Sequence, residues 1–180
     1  AHLARLLRKK GKSTAAVVSY ADATSRAREV SSKLLVADVM HSEGKFNESV
    51  GLLEQCLAAD PRNPTALSML GRAMTAQGNY SAAENYLRKS IEVSPSSFVS
   101  YSLLASLFSR QNKLEIAESF MNQATRYASP FDKRLLATQF ESVGDGYAKT
   151  GRAFAAARCY RQASALDPDR ETLAGKLSKL

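Results

Sequence analysis

Apolar residues recur three and four positions apart along most of the chain. From Thr65 to Gln77, Leu67, Leu70, Gly71 and Met74 fall on one face, the spacing of an amphipathic helix. Gly78 follows and supplies the left-handed backbone that ends a helix. A second run then sets Ala82, Ala83, Tyr86, Leu87, Ser90 and Ile91 on one side. Pro95 closes it, since the residue before a proline resists helical geometry. Together the two runs predict a helical hairpin.

The hairpin recurs. Gly44, Gly78 and Asn112 are spaced 34 residues apart, and Gly151 lies 39 beyond. Pro61 and Pro95 are also 34 apart, and Pro130 and Pro168 continue the series. The stretches GKFNESVGLLEQCLAADP, GNYSAAENYLRKSIEVSP, NKLEIAESFMNQATRYASP and GRAFAAARCYRQASALDP each open on a helix-ending Gly or Asn and close on Pro. Asn112 replaces glycine in the third and also tolerates left-handed geometry. Small residues stand where paired helices must approach closely: Gly71 and Ala83, Ala105 and Ala117, Gly144 and Ala156. Gly146 adds a second glycine to one helix, which its low propensity should locally soften. One hairpin cannot bury its apolar face alone, but a stack of three or more can.

Spacing, small-residue positions and closing prolines resemble the tetratricopeptide repeat family over residues 30–170. The resemblance implies an all-α, right-handed superhelical solenoid of stacked helix-turn-helix hairpins. Four units are expected at 30–63, 64–97, 98–131 and 137–170. The family's aromatic near the start of the first helix survives as Tyr101 and Phe140, while Lys33 and Leu67 replace it elsewhere. Asp132–Leu136 are additional and should lengthen the first helix of the fourth unit or its entry loop. Residues 1–29 read as a degenerate, truncated unit or cap: GKSTAAVVSYADATS aligns with GNYSAAENYLRKSIE, and His2–Lys10 would form its first helix. Residues 171–180, with Leu173, Leu177 and Leu180, read as a capping helix or the start of a further repeat.

The net charge of +8 is unevenly placed. Residues 1–30 hold seven basic and two acidic residues, leaving the remainder nearly balanced. Arg5, Arg8, Lys9, Lys10 and Lys12 could attract phosphates or anionic head groups, although cations also suit a helix C-terminus. No aromatic is interleaved with them for base stacking, so nucleic acid is a poor partner. No stretch approaches the roughly 18 apolar residues of a membrane span.

Nothing in the sequence points to catalysis, a metal or a cofactor. His2 and His41 are the two histidines, and Asp38 with His41 offers two ligands at most. Gly11-Lys12-Ser13 lacks the upstream glycine of a phosphate loop, since Leu6 stands there. Cys56 and Cys159 fall on buried faces and read as reduced thiols. Two such thiols fit a cytosolic setting, and a periplasmic one stays open because the first residue is Ala1 rather than Met.

The resemblance implies a non-enzymatic scaffold or adaptor that takes a peptide or protein along the inner wall made by first helices, and permits a place in secretion or envelope assembly. Carried onto this chain, the groove comprises Ser31, Leu34, Asp38, His41 and Ser42, then Thr65, Ser68, Met69, Arg72 and Thr75. It continues through Val99, Ser102, Leu103, Ser106, Ser109 and Arg110 to Thr138, Glu141, Asp145, Ala148 and Lys149. The carboxylate clamp of chaperone-docking members is missing: Leu34, Asp38, Ser68 and Arg72 occupy the matching places. What stands there instead is a hydroxyl-rich centre with Arg72 and Arg110. Competing readings are self-association through apolar ends (Leu3, Leu6 and Leu7, or Leu173 and Leu177) and anionic-surface binding through the basic N-terminal segment.

Overall fold

The computed structural model describes residues 14–170 and 172–180, with side chains from residue 28 onward. The described residues form nine helices and no strand. They are α1 (Thr14–Ser42), α2 (Phe46–Ala59), α3 (Pro64–Ala76), α4 (Tyr80–Val93), α5 (Phe98–Arg110), α6 (Leu114–Thr125), α7 (Lys133–Lys149), α8 (Ala153–Leu166) and α9 (Thr172–Leu177). The chain divides into two compact units, one ending at Pro61 and one beginning at Arg62. Among the described residues no helix is long and apolar enough to cross a membrane. The basic cluster Arg5–Lys12, Leu3, Leu6, Leu7 and the expected helix His2–Lys10 lie outside the described residues.

Within the first unit, α1 packs on α2. The expected separation of residues 1–29 from a helix beginning near residue 30 is not found, because α1 runs unbroken for 29 residues. The cause is in the sequence: between Gly11 and Gly44 there is neither glycine nor proline. Ala37 presents its carbonyl to the buried Ser49 hydroxyl at 2.8 Å, joining the two helices.

Within the second unit, α3 pairs with α4, α5 with α6 and α7 with α8, and each hairpin packs on the next. Four turns share one backbone solution. Gly44, Gly78, Asn112 and Gly151 have φ of 77°, 78°, 57° and 72°. At the second turn Gly78 N–H donates to Thr75 O and Asn79 N–H to Met74 O, and equivalent bonds recur at the other three. This paired arrangement satisfies carbonyls that the helix end leaves without partners. The starts are capped too: Asn63 accepts from Ala66 N–H at 3.0 Å with Pro64 in the first turn, and Ser97 accepts from Ser100 N–H.

The hairpins close on glycine. A Cβ built on Gly71 would meet Leu87 at 2.4 Å, and one on Gly144 would meet the Tyr160 ring at 2.6 Å. Gly146 faces another way, and a Cβ there would lie 3.1 Å from Leu114. The expected soft spot is therefore a packed contact between α6 and α7. Lys133–Leu136 lengthen α7 at its start, with Leu136 fully buried. The core runs from Ala83 to Leu173 through Leu104, Phe108, Met121, Phe140 and Tyr147. Leu173 is 1% exposed and Leu177 packs against this core, so the self-association face expected at these two leucines is already covered.

Polar links stitch the layers. Ser90 and Ser100 are both fully buried; their hydroxyls meet at 2.8 Å, and Ser90 also donates to Pro64 O. Glu118 on α6 is buried and receives Arg158 Nε and Nη2 at 2.6 and 2.8 Å and the Tyr147 hydroxyl at 3.2 Å. Burial, and then the Glu118 charge, push the Tyr147 phenol upward. Both cysteines are free and buried. Burial, with Glu118 adding to it and Arg158 opposing, raises the Cys159 thiol to about 12.

Two expectations follow. Gly78→Ala keeps open space around the new methyl but forces a left-handed alanine, and should cost about 1 kcal/mol. Gly51→Ala, inside α2 with nothing near it, should gain up to about 1 kcal/mol, and Gly71→Ala should lose about 1–3 kcal/mol by overpacking. Urea melts of the three variants check the signs. The second expectation concerns pH. The Cys159 contribution to stability is complete below the thiol's ordinary value of 9.0 and is lost as pH rises towards about 12. Across that window the unfolded chain has released a proton that the folded one keeps. Urea melts at pH 8 and pH 10.5 should show a fall that is smaller in Cys159→Ala.

Candidate functional site

The first helices of the second unit, α3, α5 and α7, present one side to a common cleft of about 200 Å³. Ser68, Met69 and Arg72 come from α3, and Phe98, Val99, Ser102 and Leu103 from α5. Leu135 closes it from the extended start of α7. Periodicity explains the assembly: residues at three- and four-residue intervals share a helix face, and stacked hairpins align those faces. Val99 and Leu135 are 51% exposed, so the cleft has an open apolar rim.

The hydroxyls expected at its centre are directed elsewhere. Ser68 donates to Thr65 O at 2.9 Å, and Thr75 to Gly71 O at 2.8 Å, each on its own helix. Ser102 exchanges hydrogen bonds with the Gln139 amide, which donates to Ser102 Oγ at 3.0 Å and to its carbonyl at 3.2 Å. Ser102 and Gln139 tie α5 to α7, and the cleft is left with methionine, phenylalanine, valine and leucine surfaces beside one guanidinium.

Among the other expected groove residues, Ser106 and Ser109 are half-buried on α5, while Arg110 and Lys149 are exposed near the ends of α5 and α7. None of these four lines the cleft. Asp38 and His41 belong to the first unit: Asp38 is exposed, and the His41 ring meets Phe46 edge-on at 5.0 Å. Among the described residues no group of three metal-ligating side chains forms.

Glu141 and Asp145 are held from within the chain. Arg170 pairs with Glu141 and donates to Thr138. Lys176 Nζ lies 2.9 Å from Glu141 and 2.7 Å from Asp145. Burial disfavours the Lys176 charge, yet hydrogen bonds and charges from Asp145 and Glu141 outweigh it and hold the ammonium above its usual range. The Tyr160 hydroxyl donates to Asp145 at 2.8 Å; burial first, and then this bond, raise the phenol to about 12.

Sequence reasoning passed over Gln139, Glu118, Arg170 and Lys176. Glu118 carried a signal: it falls four residues after Leu114 and three before Met121, on the apolar face of α6. Arg170 and Lys176 carried none, because their partners Thr138, Glu141 and Asp145 lie 29 to 35 residues away.

Residues 40–107 match the tetratricopeptide repeat family, across α2, α3, α4 and most of α5. Over that stretch the sequence is that of tetratricopeptide repeats, and the described residues share the fold of such proteins. Solved structures share the fold at low identity. PilF of Pseudomonas aeruginosa superposes with a TM-score of 0.69 at 15% identity, covering 86% of this chain and 68% of its own. YrrB, a tetratricopeptide repeat protein with an unusual peptide-binding site, gives 0.63 at 20% identity, covering 99% and 90%. MamA from Desulfovibrio magneticus RS-1 gives 0.65 at 15%, covering 83% and 81%. No protein of curated function matches the chain in sequence. Tetratricopeptide repeats are protein-interaction scaffolds, typically without enzymatic activity.

The clamp on α7 generates a test. Asp145→Asn should weaken the hold on α9 by about 1 kcal/mol. Amide exchange at residues 173–177 should quicken about fivefold, with exchange in α5 unchanged.

Proposed function

We propose that this repeat protein is a non-enzymatic scaffold that seats a peptide segment of a partner protein on the first helices of residues 64–149. The observation that carries the reading is the apolar cleft between α3, α5 and α7. Its volume of about 200 Å³ is below the roughly 300–1,000 Å³ of small-molecule sites and suits one anchoring side chain. Apolar anchors in such pockets dominate peptide affinity. Arg72 at the cleft wall favours a carboxylate next to the anchor. The peptide-binding site of YrrB, on the same fold, supports the reading by analogy. The repeat units are proposed at 30–63, 64–97, 98–131 and 137–170, with residues 171–180 as a closing helix, and the first helices of the later three build the wall.

The remaining groove candidates, Ser106, Ser109, Arg110 and Lys149, would flank the bound segment along α5 and α7. Glu141 and Asp145, held by Arg170 and Lys176, would contribute charge near the α7 end of that segment. A place in a larger secretion or envelope assembly is compatible with this role.

Peptide selection from a displayed random library tests it. Selected peptides should share a large apolar residue beside Asp or Glu. Val99→Glu with Leu135→Glu places charge on the open rim, where unfolding is not expected, and should weaken those peptides at least tenfold with helical circular dichroism unchanged. Equal binding by the variant rejects the cleft.

A further inference from the structure

Three corners of the second unit lead from one hairpin to the helix that follows it, and all three use the same turn. Ser97 N–H donates to Ser94 O at 3.1 Å, Asp132 N–H to Ser129 O at 3.0 Å and Arg170 N–H to Asp167 O at 3.3 Å. Each turn has proline in its second place: Pro95, Pro130 and Pro168. The third place, at the tip, is exposed in all three and differs in chemistry. It is Ser96 in the first and Asp169 in the last, but Phe131 between α6 and α7.

Phe131 is 92% exposed, and the turn that carries it is firmly closed. The Asp132 carboxylate accepts the Ser129 N–H at 2.9 Å and the Ser129 hydroxyl at 2.6 Å. Beside it, the half-exposed Tyr127 lies flat on the Tyr101 ring of α5, with centroids 5.7 Å apart. Cations stand on both sides of the tip: Arg126 before it, Lys133 and Arg134 after it, all exposed. Phe154 is the contrast. It is as exposed as Phe131 but opens α8, beyond the far end of α7, a helix about 25 Å long at 1.5 Å per residue. The cations nearest to it in sequence, Arg152 and Arg158, are paired with Glu115 and Glu118.

We propose that the α6–α7 corner rests on an anionic bilayer surface. Phe131 enters the boundary between head groups and acyl chains, while Arg126, Lys133 and Arg134 face lipid phosphates. A leaflet is layered as the corner is, with negative charge at the surface and hydrocarbon beneath. Tyr127, an apolar ring with a polar tip, suits the head-group level. A projecting ring needs no preformed socket in a fluid leaflet, whereas a protein partner would have to supply one. No crossing helix is required, and one ring with three cations holds the protein reversibly. The corner lies outside the cleft, so this contact stands or falls independently of peptide binding.

The chain contains no tryptophan, so Phe131→Trp places a single reporter at the tip. Its emission should move to the blue with phosphatidylserine-containing vesicles and stay in place with phosphatidylcholine alone. Phe154→Trp should stay unshifted with both. Phe131→Ala should weaken vesicle co-sedimentation about tenfold. Arg126→Glu with Lys133→Glu should abolish the response to phosphatidylserine. These side chains are exposed, so helical circular dichroism should be unchanged throughout. Absence of binding to phosphatidylserine vesicles overturns the proposal, as does an equal response to both lipids. Vesicle binding that leaves the Phe131→Trp emission unmoved rejects it too, by placing the contact on another surface. A blue shift that grows with protein concentration in the absence of lipid would assign the ring to a protein surface and reject the bilayer.

Discussion

Two helices joined by a short turn can approach only as far as the side chains between them allow, and everything in the second unit depends on that distance. Gly71 lets Leu87 lie where a methyl would stand, and Gly144 does the same for the Tyr160 ring. Close approach buries Leu70, Leu87, Val143 and Tyr147 almost completely. It also holds the first helices side by side, so that α3, α5 and the start of α7 can share a cleft. Each added carbon at those glycines would widen a hairpin and spoil the alignment of its neighbours.

Packing sets the spacing, and buried polar pairs set the match between layers. Ser90 and Ser100 satisfy each other, and Glu118 gathers a tyrosine and an arginine from the two helices of the following hairpin. A slipped layer would leave these groups buried without partners, at a cost of about 1–3 kcal/mol each. The apolar contacts between hairpins are more tolerant of sliding, so registry falls to the polar ones. The same logic accounts for Ser102 and Gln139 behind the cleft.

Hairpin architecture was legible in the sequence because its causes are local. Gly78, Asn112 and Pro95 act within a few residues of themselves, and the small residues that permit close approach are fixed by repeat spacing. The left-handed Asn112 was foreseen on those grounds. The cleft was only partly legible. Ser68, Arg72 and Ser102 were placed on its wall, but whether a hydroxyl faces outward or returns to its own backbone is decided by neighbours that spacing does not name. Glu141 and Asp145 show the same limit, since a segment some thirty residues downstream engages them. The unbroken α1 was misread because alignment with second helices outweighed the simpler fact that no breaker divides Gly11 from Gly44.

Nearly all packing in the second unit joins elements that are adjacent or next but one along the chain. Loops that must close during folding are therefore short, which keeps the entropic barrier low and the search fast. Order can begin at any one hairpin and spread to its neighbours, and it can be lost piecemeal from either extremity. Evolution meets the same modularity: a hairpin duplicated or deleted whole leaves every remaining seam a seam the molecule already knows how to make.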